Sequence, residues 1–151
     1  MDRDQIVQEM GEAFSQLKRA MQVYNLEHFG KFGVSPAQVS MLKTIHQQQP
    51  IKQKDLAKQL VLTPGAVSQL IEALDAAKCI IRTTSEDDRR VSYVSVSKSG
   101  EKLLSSYDQL REQLMTEAVK EVADEDLVSY IKVQKSLTRW LEDQSTQNKE
   151  K

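Results

Sequence analysis

Residues 51–74 read IKQKDLAKQLVLTPGAVSQLIEAL, and the fold turns on how this stretch is read. Ile51–Leu60 predicts a short amphipathic helix with Leu56, Ala57 and Leu60 facing inward. Ile51 and Leu56 stand where a hydrophobic staple places them, and Asp55 falls in the electropositive first turn. After Val61-Leu62, the pair Thr63-Pro64 restarts a helix as N-cap and first helical residue. Val67, Leu70, Ile71 and Leu74 form its inward stripe. Two short helices joined by so tight a turn are the pattern of a helix-turn-helix. Thr63, Gly65, Ala66, Ser68 and Gln69 lie outward near the second helix's start, and none is acidic. Such a face suits DNA. Gln69 has the donor and acceptor that match adenine, Thr63 and Ser68 can reach bases or phosphates, and a helix N-terminus favours a phosphate. Lys54, on the first helix, is a candidate phosphate contact. The same spacing also fits an ordinary helix pair whose polar face is merely solvated.

The flanking stretches decide between these readings. Ile80–Thr84 and Val91–Val96 are β-rich, and residues 85–90, Ser-Glu-Asp-Asp-Arg-Arg, form a polar connector between them, predicting a β-hairpin. A hairpin directly after a helix-turn-helix is the layout of a winged helix. Arg89 and Arg90 at its tip have the charge to enter a narrow minor groove, and Asp88 can pair with one arginine and hold its geometry. Upstream, Ser35-Pro-Ala-Gln38 reads as a capping box starting a helix with the stripe Val39, Leu42 and Ile45. Before it, Ile6, Met10, Ala13, Leu17, Ala20 and Tyr24 alternate steps of four and three, a coiled-coil-like stripe over residues 4–29. Downstream, Ser97 caps a long helix striped by Leu103, Tyr107, Leu110, Leu114 and Ala118. A last helix after Asp124-Glu-Asp126 is expected to bury Leu127, Ile131, Leu137 and Leu141.

The run DRRVSYVSVSKSG, residues 88–100, resembles the wing of the MarR (multiple antibiotic resistance regulator) family. That signature is Asp-x-Arg at the tip, a strand, then Leu-Thr-x-x-Gly at the next helix start. Asp88, Arg90, Val96, Ser97 and Gly100 occupy its positions, with conservative changes at Val96 and Ser97. Residues 55–60 and 67–74 are similar to the family's helix-turn-helix, and the likeness extends over about residues 5–143. It implies a mainly α fold with a small β-hairpin wing, a winged helix-turn-helix flanked by N- and C-terminal dimerisation helices. The expected regions are 1–34, an N-terminal dimerisation helix; 35–97, the DNA-binding region with its wing at 80–96; and 98–151, C-terminal dimerisation helices and tail. It further implies a homodimer that binds a pseudo-palindromic operator in double-stranded DNA, a repressor relieved by a small phenolic or aromatic effector. Arg90 is the minor-groove residue by this resemblance. Three positions depart from the pattern: Lys78 replaces a glycine, Gln69 a frequent arginine, and Lys52 a threonine N-cap.

Composition agrees with this class. The 151 residues carry a net charge of −1, but residues 51–100 hold eight basic against six acidic side chains, so the positive surplus lies in the middle third. No run is long and apolar enough for a membrane span, no secretory leader is visible, and one cysteine fits a reducing compartment, so a cytoplasmic protein is expected. Tyr24, His28, Phe29 and His46 are candidates to line an effector cleft. Cys79 sits where the family has a buried aliphatic residue, which favours packing, although Lys78 and Arg82 nearby leave an oxidant-sensing thiol conceivable. No zinc-ligand spacing, nucleophile elbow, P-loop or dinucleotide fingerprint is present, so no metal, cofactor or catalysis is expected. A helical dimer acting only through protein contacts is the reading from another class.

Overall fold

The computed structural model describes residues 1–86 and 91–147. In chain order it contains α1 (Arg3–Phe29), a 3₁₀ turn (Gly30–Phe32), α2 (Pro36–Gln48), β1 (Ile51–Lys52), α3 (Gln53–Leu60), α4 (Pro64–Ala76), β2 (Ile80–Thr84), β3 (Ser92–Val96), α5 (Lys98–Ala118) and α6 (Asp124–Gln147). The chain divides into two compact units, Met1–Gln109 and Leu110–Lys151.

In the first unit, local chemistry starts α2, α4 and α5 where the sequence predicts. Ser35 Oγ accepts from the Gln38 N–H at 3.2 Å while the Gln38 side chain accepts from the Ser35 N–H at 2.6 Å, the reciprocal pair of a capping box. Thr63 Oγ1 accepts from the Ala66 N–H at 3.2 Å. Ser97 Oγ accepts from the Gly100 N–H at 3.0 Å and donates to the Lys78 carbonyl at 2.7 Å, so one hydroxyl both caps α5 and ties it to the end of α4.

The core lies between α2, α3, α4 and the sheet. Leu42, Ile45, Leu56, Ile71, Leu74 and Val94 are fully enclosed. Each such side chain contributes about 1.5–3 kcal/mol relative to exposure. Met41 is buried as well, outside the stripe expected for α2.

Two expectations need correction. The helix expected over 51–60 begins at Gln53, because Ile51 and Lys52 leave it to pair antiparallel with Val94 and Tyr93. The hairpin is thus part of a three-stranded sheet in the order β1-β3-β2. β2 and β3 pair from Ile80↔Val96 to Thr84↔Ser92, and the Ser85 N–H donating to the Val91 carbonyl extends the ladder toward the tip. Pairing releases Ile51 from the helix without exposing it, since both roles bury its side chain, which is 6% exposed. In the second unit, the stripe expected to be buried on α6 is open. Ile131, Leu137 and Leu141 are 44–58% exposed in the single chain. The α1 stripe is open too: Ile6, Met10 and Leu17 are each close to half exposed.

Candidate nucleic-acid interface

The start of α4 is built to be presented. Val67, Ile71 and Leu74 anchor one face in the core, at 1% exposure or less, and this leaves the opposite face no choice but outward. Thr63, Gly65 and Gln69 are exposed there, with Ala66 and Ser68 half-buried. Ser68 is not wholly free, because its Oγ accepts from Gln53 Nε2 at 3.4 Å, a long bond from the start of α3. The acids of α4, Glu72 and Asp75, fall in its second half, away from the capped N-terminus. Its first two turns therefore offer the positive end of the helix dipole and neutral hydrogen-bonding side chains, a combination that accepts phosphate and base edges without like-charge repulsion.

α3 adds positive charge. Lys54 is exposed, and Lys58, four residues on, shares its face. Lys58 was legible at this i,i+4 spacing but was not among the residues singled out from the sequence. Lys52 is turned elsewhere. It occupies the N-cap position of α3 without a side-chain cap, and its Nζ stands 5.9 Å from the centre of the Tyr93 ring. Reciprocal amide bonds between Gln48 and Gln59, at 2.5 and 2.6 Å, join the ends of α2 and α3 and hold this face in place. Asp88, Arg89 and Arg90, expected at the wing tip, lie outside the described residues.

The departure at Lys78 has a visible consequence. Lys78 takes the left-handed conformation, φ 56°, directly after α4, so the backbone shape that favours glycine is kept with a lysine in it. Cys79 follows, 3% exposed, its Sγ against the Ala77 carbonyl at 3.5 Å. Burial pushes its thiol pKa up, which suppresses the thiolate an oxidant sensor needs. This burial supports the packing role over the sensing one.

The effector candidates do not share one wall. Tyr24 and His28 stack on each other with ring centres 3.9 Å apart. Phe29 is buried against Tyr107, centres 4.5 Å apart, beside Phe32. His46 lines a cleft of about 570 Å³ between α2 and α5, with Lys43, Gln47, Glu101, Leu104, Ser105 and Asp108. None of the other three candidates lines that cleft.

Comparison with known proteins accords with this geometry. Residues 34–92 match the model of the MarR family. The chain is 24% identical over 145 residues to the HTH-type transcriptional repressor MdtR of Bacillus subtilis (strain 168), covering 96% of this chain and 94% of that one. It shares its fold with YusO of Bacillus subtilis, with a TM-score of 0.78 and 23% identity over 92% of this chain and 99% of that one. It shares it also with Streptococcus pneumoniae FabT, solved in complex with DNA, with a TM-score of 0.72 and 20% identity over 94% and 99% of the two chains. Motif, fold and relatives agree: residues 34–92 match the MarR family, and the chain has the fold of these proteins.

Proposed function

We propose that this protein is a homodimeric transcription regulator that lays α4 in the major groove of duplex DNA. The observation that carries the reading is the outward, acid-free N-terminal half of α4, rigidly seated by Val67, Ile71 and Leu74. Thr63, Ser68 and Gln69 would read or position base edges, Gly65 and Ala66 would permit close approach, and Lys54 would meet a phosphate. The wing residues enter this proposal from the sequence: Asp88 and Arg90 by the resemblance, with Arg90 in the minor groove, and Arg89 by its charge, on a phosphate. MdtR, a repressor by name, and the FabT–DNA complex support the DNA-binding reading. Repression relieved by a small aromatic ligand is the finer part of the proposal. The cleft at His46 and the Tyr24–His28 stack are where such a ligand would be sought.

The open apolar faces of α1 and α6 support the homodimer, because two exposed stripes of this length suit a second copy of the chain. A dimer would present two copies of α4 to a pseudo-palindromic site. Acting on DNA, it would work in the cytoplasm.

Fluorescence anisotropy tests the proposal, with DNA from upstream of the protein's own gene set beside a scrambled duplex at near-physiological salt. Preference for the upstream duplex by ~10³ or more is the expected result. Absence of binding to both would refute it. Arg90→Ala should weaken binding, and unchanged affinity would remove Arg90 from the interface.

A further inference from the structure

Val61 sits in the turn between α3 and α4 with φ 53° and ψ 44°, the left-handed region. The turn demands this shape: the Leu62 N–H donates back to the Ala57 carbonyl at 3.0 Å, the longer closing bond of a Schellman turn. Glycine or asparagine meets that demand at small cost, whereas a β-branched residue meets it at the greatest. The folded chain gains nothing visible in return, for Val61 is 77% exposed. A strained, exposed isopropyl group is unexplained by packing within the chain, and strain of this kind gathers at working sites.

Its surroundings say what it would work on. Lys54 and Lys58, at i and i+4, form one exposed row on α3, and Val61, the first residue past the end of that helix, is exposed as well. Thr63, two residues further, caps the helix face described above. The row is therefore continuous with the proposed DNA face and carries its sign of charge. We infer that Val61 is a specificity residue whose methyl groups pack on the C5 methyl of a thymine in the major groove, with Lys54 and Lys58 on the adjacent phosphates. The major groove is where thymine shows that methyl, and apolar contact is how proteins read it. This inference rests on the DNA-binding reading.

The test uses duplexes enriched from a randomised pool by the full-length protein, with each thymine then replaced singly by deoxyuridine, which lacks only the methyl. At one thymine per half-site the wild-type protein should lose about fourfold in affinity, the worth of one buried methyl. Val61→Gly should melt at a higher temperature, bind more weakly overall, and show no loss at that thymine. Val61→Ile should keep the sensitivity. An enriched duplex at which wild type and Val61→Gly respond alike to every replacement would overturn the inference while leaving DNA binding intact. A pool from which nothing is enriched would overturn both.

Discussion

Replacing Gly100 by alanine tests how the long helix α5 is seated. A Cβ at this position would stand 2.1 Å from the Cys79 carbonyl oxygen, 2.8 Å from Val96 Cγ1 and 3.0 Å from the Cys79 carbonyl carbon. Ordinary contact begins near 3.4 Å, so backbone must part from backbone by about 1.3 Å. Neither obstacle yields easily. The Cys79 carbonyl is held by the Ser97 N–H at 3.0 Å, and Val96 is a buried β-branched side chain with a stiff χ1. Overpacking costs about 1–3 kcal/mol, and a backbone clash without rotamer relief belongs at the top of that range. Losing the Ser97–Cys79 bond adds about 1 kcal/mol. Alanine's better helix propensity returns roughly 0.5–1 kcal/mol. The net expectation is a loss of about 3 kcal/mol, which for a chain of this size lowers the melting temperature by roughly 10 °C. Thermal and urea unfolding followed by circular dichroism, at equal protein concentration, would read it. Gly11→Ala is the control, since a Cβ there meets nothing within 4 Å and the same propensity term should raise stability. A Gly100→Ala protein as stable as the Gly11→Ala control would refute the close-approach argument.

Other expectations follow from the same geometry. Lys78→Gly should stabilise the protein by about 0.5–1 kcal/mol, the left-handed cost of about 1–2 kcal/mol less glycine's unfolded-state entropy, and a lowered urea midpoint would contradict this. Leu56→Ala, at a fully buried position, should cost about 2–5 kcal/mol in urea unfolding. Thr63→Ala should cost about 1 kcal/mol through its lost cap and also weaken DNA binding in anisotropy titrations. Because burial raises the Cys79 thiol pKa, the unfolded chain releases that proton first as pH rises. The thiol's contribution to stability should be complete below the ordinary thiol value of about 8.5 and decline from there toward the folded pKa. Urea midpoints measured across that window should fall more for wild type than for Cys79→Val, and equal slopes would count against the buried thiol.

The sequence alone determined what depends on neighbours a few residues apart. Ser35 with Gln38, and Thr63 with Pro64, announce helix starts because their hydrogen bonds close within three residues. The inward faces of α2, α3 and α4 were legible from spacing, since a helix repeats its faces locally. So was the outward set at the start of α4, the complement of a buried stripe. The apolar stripe of α6 was legible as a stripe, but periodicity names no partner, and the face expected to be buried is open in the single chain. Only the tertiary structure decided where distant segments meet. Ile51 and Lys52 become a strand because Val94 and Tyr93, more than forty residues later, offer the hydrogen bonds. Tyr24 and His28 stack on each other, and His46 lines a cleft that neither of them reaches, a division that no local pattern records. Gly100 belongs to a motif in the sequence, yet its necessity is a carbonyl 2.1 Å from where a side chain would begin. Backbone bonds and faces within one helix are set by adjacent residues, whereas strand pairing and close approach depend on which segments the shared core brings together.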